Sequence, residues 1–139
     1  MNVAVVGATG AVGEAMLSIL EQRNFPVNEI FPLASSRSAG KSVVFNGRSV
    51  EVGRLDEFDF STTNLGLFSA GGSVSAEYAP KAVAAGCIVV DNTSYFRNDP
   101  EVPLIVPEVN LHALDKHHGI IANPNCSTIQ MVVALKPIY

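Results

Sequence analysis

The spacing of hydrophobic positions changes several times along the chain, and each change predicts a new element. Residues 3–6, Val-Ala-Val-Val, form a continuous apolar run ending at Gly7, the pattern of a strand buried on both faces of a parallel sheet. From Ala11 the period lengthens. Val12, Ala15, Met16, Ile19 and Leu20 fall on one helical stripe, Glu14, Ser18, Glu21 and Gln22 face away, and Asn24 with Pro26 stops the pattern. Residues 30–34 predict a second strand, although Pro32 lacks the donor that a fully paired central position needs. Residues 42–45 and 48–52 flank Asn46-Gly47, and the tolerance of both turn residues for positive φ predicts a hairpin. Residues 65–68 read as a strand and 76–85 as a helix ended by Gly86, with Pro80 obscuring where that helix begins. Residues 87–90 predict another buried strand, closed by Asp91-Asn92-Thr93-Ser94. A long irregular stretch through Pro100, Pro103 and Pro107 then leads to a short strand at 120–122 and a helix over 128–135 that Pro137 ends.

Strands alternating with helices define the α/β class with a mostly parallel sheet. The chain has 139 residues, 47% of them hydrophobic, enough for one core and hence one domain. Its formal net charge of −4 argues against a partner recognised through a phosphate backbone, so no nucleic acid is expected. The most sustained apolar stretch, 82–90, is half the length of a membrane span, and no basic leader precedes the first strand. The expectation is a soluble, cytoplasmic protein without a membrane partner. Cys87 and Cys126 form no paired motif and are judged singly.

The glycines at 7, 10 and 13 make a G-x-x-G-x-x-G variant of the dinucleotide fingerprint, set between strand and helix. Gly7 permits the sharp turn, Gly10 admits a pyrophosphate against the backbone, and Gly13 lets the helix pack closely, with free N–H groups at the helix start facing the anion. The fold expected is therefore Rossmann-like, with helices on both faces and a β-hairpin insertion. About twenty residues on, where an NAD site places a carboxylate, the chain has Ala34-Ser35-Ser36-Arg37-Ser38. An arginine among hydroxyls attracts a 2′-phosphate, which favours NADP over NAD; the alternative is a solvated serine loop. Cys126 stands between a strand and a helix start, where the helix-end field favours a thiolate, so it is either a nucleophile or a structural cysteine. Cys87, inside an apolar strand, reads as a small buried hydrophobe.

Five segments together resemble the aspartate-semialdehyde dehydrogenase family: the glycine turn 7–13, Leu33-Ala34-Ser35-Ser36-Arg37-Ser38, the Asp91-to-Arg97 loop, Val106-Pro107-Glu108-Val109-Asn110, and Asn123-Pro124-Asn125-Cys126-Ser127-Thr128-Ile129-Gln130. The likeness runs the length of the chain. It implies that residues 1–139 are the NADP-binding domain, ending just after the catalytic-cysteine helix, with the substrate and dimerisation domain absent. It also implies reversible conversion of L-4-aspartyl phosphate to L-aspartate 4-semialdehyde, with NADP and inorganic phosphate, in a homodimeric enzyme of lysine, threonine and methionine biosynthesis. Cys126 then matches the nucleophile that carries the thioester, and Arg97 and Asn125 match groups that hold substrate and phosphate. From its own surroundings alone, Arg97 would read as a surface ion-pair partner of Asp99 or Glu101. Gly7, Thr9, Gly10, Ala11, Val12 and Gly13 match the pyrophosphate turn, and Ser35, Arg37 and Ser38 the 2′-phosphate loop. Ser69, Gly71, Asn92 and Thr93 match the remainder of the cofactor groove.

The family's general acid/base histidine, a glutamine and a carboxylate-binding arginine would all follow Tyr139. His112, His117 and His118 precede the cysteine and do not replace that histidine, nor do they have ligand spacing, so no metal is expected. Two other readings stay open: an N-acetyl-glutamyl-phosphate reductase-like enzyme, which typically has Asn-Pro-Gly-Cys where this chain has Asn-Pro-Asn-Cys, and a non-catalytic NADP-binding module.

Overall fold

The computed structural model describes every residue from Met1 to Tyr139. In chain order the elements are β1 (Asn2–Val6), α1 (Ala11–Gln22), β2 (Glu29–Ala34), β3 (Ser42–Phe45), β4 (Arg48–Glu51), β5 (Gly53–Arg54), β6 (Leu65–Phe68), α2 (Gly72–Ala84), β7 (Ile88–Asp91), α3 (Pro107–Asn110), β8 (Ile120–Ala122) and α4 (Cys126–Leu135). Six strands form one parallel sheet in the order β5-β2-β1-β6-β7-β8, while β3 and β4 make a separate antiparallel pair. Strand order therefore reverses between β1 and β6, the place where a doubly wound sheet opens a crevice at its carboxyl ends.

β1 explains the two-faced core. Val3 and Val5 pack with Leu17 and Leu20 of α1 and with Phe45 of the hairpin, whereas Ala4 and Val6 pack with Ala79 and Ala82 of α2 and with Phe68 and Val89. These four of the five β1 residues are fully buried, as an uninterrupted apolar strand in a parallel sheet requires. The buried face of α1 is rotated from the stripe the sequence suggests. Gly13, Leu17 and Leu20 face the sheet, while Val12 and Ile19 stand about half exposed, because the Gly13 backbone makes the closest approach to the sheet and sets the helix's rotation.

Four other expectations need adjustment. α2 begins at Gly72 rather than near residue 76 and carries Pro80 in its interior. Pro80 has no amide to give the ladder, yet the helix continues through it to Ala84. Ile88 is exposed although its strand is apolar, because neither α1 nor α2 covers that face of β7. The stretch between β7 and β8 is not wholly irregular: α3 and a 3-10 turn over Leu111–Lys116 occupy part of it. α4 begins at Cys126 because Asn125 caps it, its side-chain oxygen accepting from the Thr128 amide at 2.8 Å. Pro32 is tolerated because β5 pairs only with Leu33 and Ala34, leaving the outer edge of β2 open at residue 32. The hairpin turns at Asn46 and Gly47 with φ of 50° and 73°.

The glycine turn yields a stability contrast. A Cβ on Gly13 would lie 2.1 Å from the Gly7 carbonyl oxygen, backbone against backbone, whereas one on Gly10 would meet the same oxygen at an ordinary 3.5 Å. Gly13→Ala should therefore cost ~3 kcal/mol or more and Gly10→Ala about 1 kcal/mol or less, read from urea denaturation midpoints at constant m.

Candidate active site

A cleft of about 420 Å³ opens at the carboxyl ends of the strands, beside the reversal of strand order. Gly7 and Thr9 after β1, Ser35, Ser36 and Ser38 after β2, Ala70 after β6, Val74 and Tyr78 of α2, and Leu55 and Asp56 after β5 line it, together with Ala34. Gly7 adopts φ of 89°, and a Cβ there would meet the backbone of Ser69 at 2.9 Å, so two strand-end loops touch across this residue. Gly10 caps α1 without a side-chain hydrogen bond, which leaves the amides of Ala11, Val12 and Gly13 as the open, positive end of the helix. The serine loop is a tight turn closed by Ser38 and Ala39 amides donating to the Ser35 carbonyl at 2.9 and 3.0 Å. Arg37 lies on that turn, exposed and outside every ion pair, so its guanidinium is uncommitted.

Gly71 takes φ of 98° and caps α2. The Ser69 amide and hydroxyl both donate to the Val6 carbonyl, at 2.9 and 3.3 Å. Asp91, fully buried at the end of β7, accepts from the Ser75 hydroxyl at 2.7 Å, the Thr93 amide at 3.0 Å and the Thr93 hydroxyl at 2.8 Å. Thr93 is thus turned inwards, and its hydroxyl holds the loop rather than facing the groove. Asn92 is half-buried and bonds through its side-chain oxygen to the Asn123 side chain at 2.7 Å.

Arg97 makes no ion pair with Asp99 or Glu101. Its Nε donates to the Asn123 carbonyl at 2.9 Å and its Nη2 to the Asn92 carbonyl at 3.0 Å, so it straps the loop after β7 to the loop after β8. Both partners are neutral and Nη1 has no protein acceptor, leaving a half-buried cation with one free donor edge. The strapped loop runs directly through Asn125 to Cys126, whose exposed thiol occupies the first turn of α4. An accessible sulfur at a helix start can add to an electrophilic carbon, and a guanidinium anchored on the same loop, at the Asn123 carbonyl, can hold an anionic partner. Of the histidines, His117 accepts from the Gly119 amide at 3.0 Å, and His112 and His118 are exposed. No three His, Cys, Asp or Glu side chains come together as a metal site would need.

Sequence reasoning passed over one acidic group. It found no carboxylate after β2, yet Asp56 reaches the same cleft from β5. The only available signal is the parallel register that sets Arg54 beside Ala34, and the hairpin separates the two strands in sequence.

The strand order and the cleft beside the glycine turn define a doubly wound domain of the dinucleotide-binding class. Residues 2–117 match the family described as semialdehyde dehydrogenase, NAD binding domain, and the chain belongs to that family. It is 64% identical to the aspartate-semialdehyde dehydrogenase of Legionella pneumophila, over 100% of this chain and 41% of that protein. With the crystal structure of aspartate semialdehyde dehydrogenase II from Vibrio cholerae, complexed with ASA, it shares 60% identity and a TM-score of 0.97 over 99% of this chain and 46% of the other. The enzyme from Candida albicans, solved with NADP, superposes with a TM-score of 0.81 at 28% identity, covering 99% and 46% of the two chains. The chain thus spans less than half the length of these relatives.

The two thiols should separate chemically. Burial pushes the Cys87 thiol up to about 11, and its sulfur contacts the Ile88 carbonyl at 3.4 Å, whereas Cys126 is exposed. Brief iodoacetamide treatment near neutral pH followed by peptide mapping should label Cys126 first, with Cys87 modified only after denaturation.

Proposed function

We propose that this domain belongs to an NADP-dependent aspartate-semialdehyde dehydrogenase, interconverting L-4-aspartyl phosphate and L-aspartate 4-semialdehyde through a cysteine thioester. The observation that carries the reading is the pairing of Cys126 and Arg97 at one loop: the backbone that leads to the thiol also anchors the guanidinium. The residues that ring the cleft suit a dinucleotide phosphate. Gly7 and Thr9 line it, the start of α1 that follows them lacks a side-chain cap, and Arg37, not itself a lining residue, is uncommitted on the turn that contributes Ser35, Ser36 and Ser38. Gly7, Thr9, Gly10, Ala11, Val12 and Gly13 would hold the pyrophosphate, with Ser35, Arg37 and Ser38 at the 2′-phosphate and Ser69, Gly71 and Asn92 along the remaining groove. When bound, NADP supplies the hydride acceptor that turns a sulfur-bound aldehyde adduct into a thioester.

The Cys126 thiolate adds to the aldehyde carbon and keeps the substrate attached while it is oxidised. Inorganic phosphate then attacks the thioester carbonyl, forming the acyl phosphate and releasing the sulfur. Arg97 is suited to seat that phosphate, because two of its donors already fix the guanidinium plane and a third edge remains free. Asn125, whose oxygen is used in capping α4, keeps its amide donors for the same anion. Thr93 serves through Asp91, holding the loop that carries Asn92 and Arg97.

We place the second, substrate-binding domain outside residues 1–139, together with the general acid/base and the arginine for the substrate carboxylate. Three features support this: the share of the relatives' length that the chain spans, the exposure of Met131, Val133 and Leu135 on α4, and the exposure of Val12, Ile19 and Ile88 on one side of the sheet. The homodimer and the cytoplasmic location are inferred from the family likeness. No helix is long and apolar enough to cross a membrane.

In the full-length enzyme, phosphate-dependent NADP reduction with aspartate semialdehyde should be abolished by Cys126→Ser while cofactor affinity is retained. Arg37→Ala should erase about tenfold or more of the preference for NADP over NAD, since a charged hydrogen bond is lost; equal affinity for both cofactors in the unaltered protein would end the cofactor reading. A polypeptide of residues 1–139 should bind NADP weakly and turn over nothing. Activity comparable to the full-length enzyme would instead assign proton transfer to His112, His117 or His118.

A further inference from the structure

Asn123 has no role in the reading above, yet through it the loop after β8 meets the loop after β7. Its amide donates to the Asp91 carbonyl at 2.8 Å, its side-chain Nδ2 donates to the Asn92 side-chain oxygen at 2.7 Å, and its carbonyl accepts from Arg97 Nε at 2.9 Å. Asn92 mirrors this arrangement. Its amide donates to the Phe68 carbonyl at 2.8 Å and its carbonyl accepts from Arg97 Nη2 at 3.0 Å. The two residues whose carbonyls grip the guanidinium are therefore also the two whose side chains are bonded to each other.

We propose that Asn123 is a positioning residue for the phosphate step, its side chain fixing the separation of the two carbonyls that hold Arg97. This rests on the thioester reading above and deepens it. Nε and Nη2 lie on one rigid edge of a planar group, so two acceptors satisfy both only when their spacing matches that edge. Here the acceptors belong to different loops, beyond the ends of β7 at Asp91 and β8 at Ala122. One backbone bond, from the Asn123 amide to Asp91, joins the loops at their base, and the amide pair adds the second point that stops them from swivelling about it. Pro124, buried and next in sequence, restricts Asn123 to extended backbone, which holds the direction of its carbonyl. With both acceptors fixed, Nη1 keeps one orientation towards an anion. Without the amide pair, Arg97 would keep its charge and lose that orientation. The affected step is then the seating of phosphate for attack on the thioester, rather than addition of Cys126 to the aldehyde or binding of the cofactor.

The test follows phosphate-dependent NADP reduction with aspartate semialdehyde by the full-length enzyme at saturating NADP. Asn123→Ala should raise the KM for phosphate about tenfold, the size expected of one well-placed hydrogen bond to a charged group. The kcat, the NADP affinity and the rate at which iodoacetamide labels Cys126 should each stay within about threefold. Asn123 is half-buried and its backbone bonds do not need the side chain, so the variant should fold. Asn123→Leu, similar in shape and lacking the amide, should behave alike. Made in an Asn92→Ala background, Asn123→Ala should change the KM for phosphate by less than about twofold, because its partner is already gone. Lowered thermal stability or kcat with that KM unchanged would mean a structural role alone and overturn the proposal. A tenfold rise that persists in the Asn92→Ala background would overturn it as well, and either result leaves the thioester reading standing. An unaltered enzyme that reduces NADP without phosphate would remove both readings.

Discussion

The approach of α1 to the end of β1 is the constraint on which the rest of the domain depends. At Gly13 the helix backbone lies so close to the Gly7 carbonyl that no side chain fits between them. That contact sets the rotation of α1, and hence which residues meet Val3 and Val5 in the core. It also sets the helix start, with its unpaired amides, directly after the Gly7-to-Thr9 turn that lines the cleft. A second contact, between Gly7 and the Ser69 backbone, joins the loop after β1 to the loop after β6, so that the reversal of strand order is narrow and well defined.

The far end of the sheet is organised by different physics. Asp91 is a fully buried carboxylate, and removing it from water would be costly without the three hydrogen bonds from Ser75 and Thr93. Those bonds tie the first turns of α2 to the loop after β7. Arg97 then carries the connection onward to the loop after β8 through two backbone carbonyls, and that loop delivers Asn125 and Cys126 to the start of α4. The thiol is therefore positioned by a chain of polar contacts that begins in the core, although the thiol itself is exposed.

The hairpin of β3 and β4 shows how an insertion can serve a site it does not enter. Phe45 fills the α1 side of the core, and the return of the chain lays β5 along only the last two residues of β2. So short a pairing suffices to bring Arg54 and Asp56 beside the serine turn, and it leaves Pro32 at an open edge where its missing donor costs nothing.

Much of this was legible in the sequence because it is local. The apolar run of β1, the Asn-Gly turn, the glycine spacing at 7, 10 and 13, and the strand-to-helix setting of Cys126 each depend on a few consecutive residues and a fixed backbone period. The rotation of α1 and the true start of α2 depend on what each element packs against, so periodicity alone misplaced them by a few residues or part of a turn, whereas the start of α4 is set locally by the Asn125 cap that periodicity does not register. Arg97 is the clearest case. Its sequence neighbours Asp99 and Glu101 suggest a surface ion pair, whereas the fold offers it the carbonyls of Asn92 and Asn123. Asp56 likewise enters the cleft through parallel pairing of strands that the hairpin separates. A sequence determines short-range conformation by propensity and period, but which distant polar groups meet is decided only when the sheet fixes strand order and register.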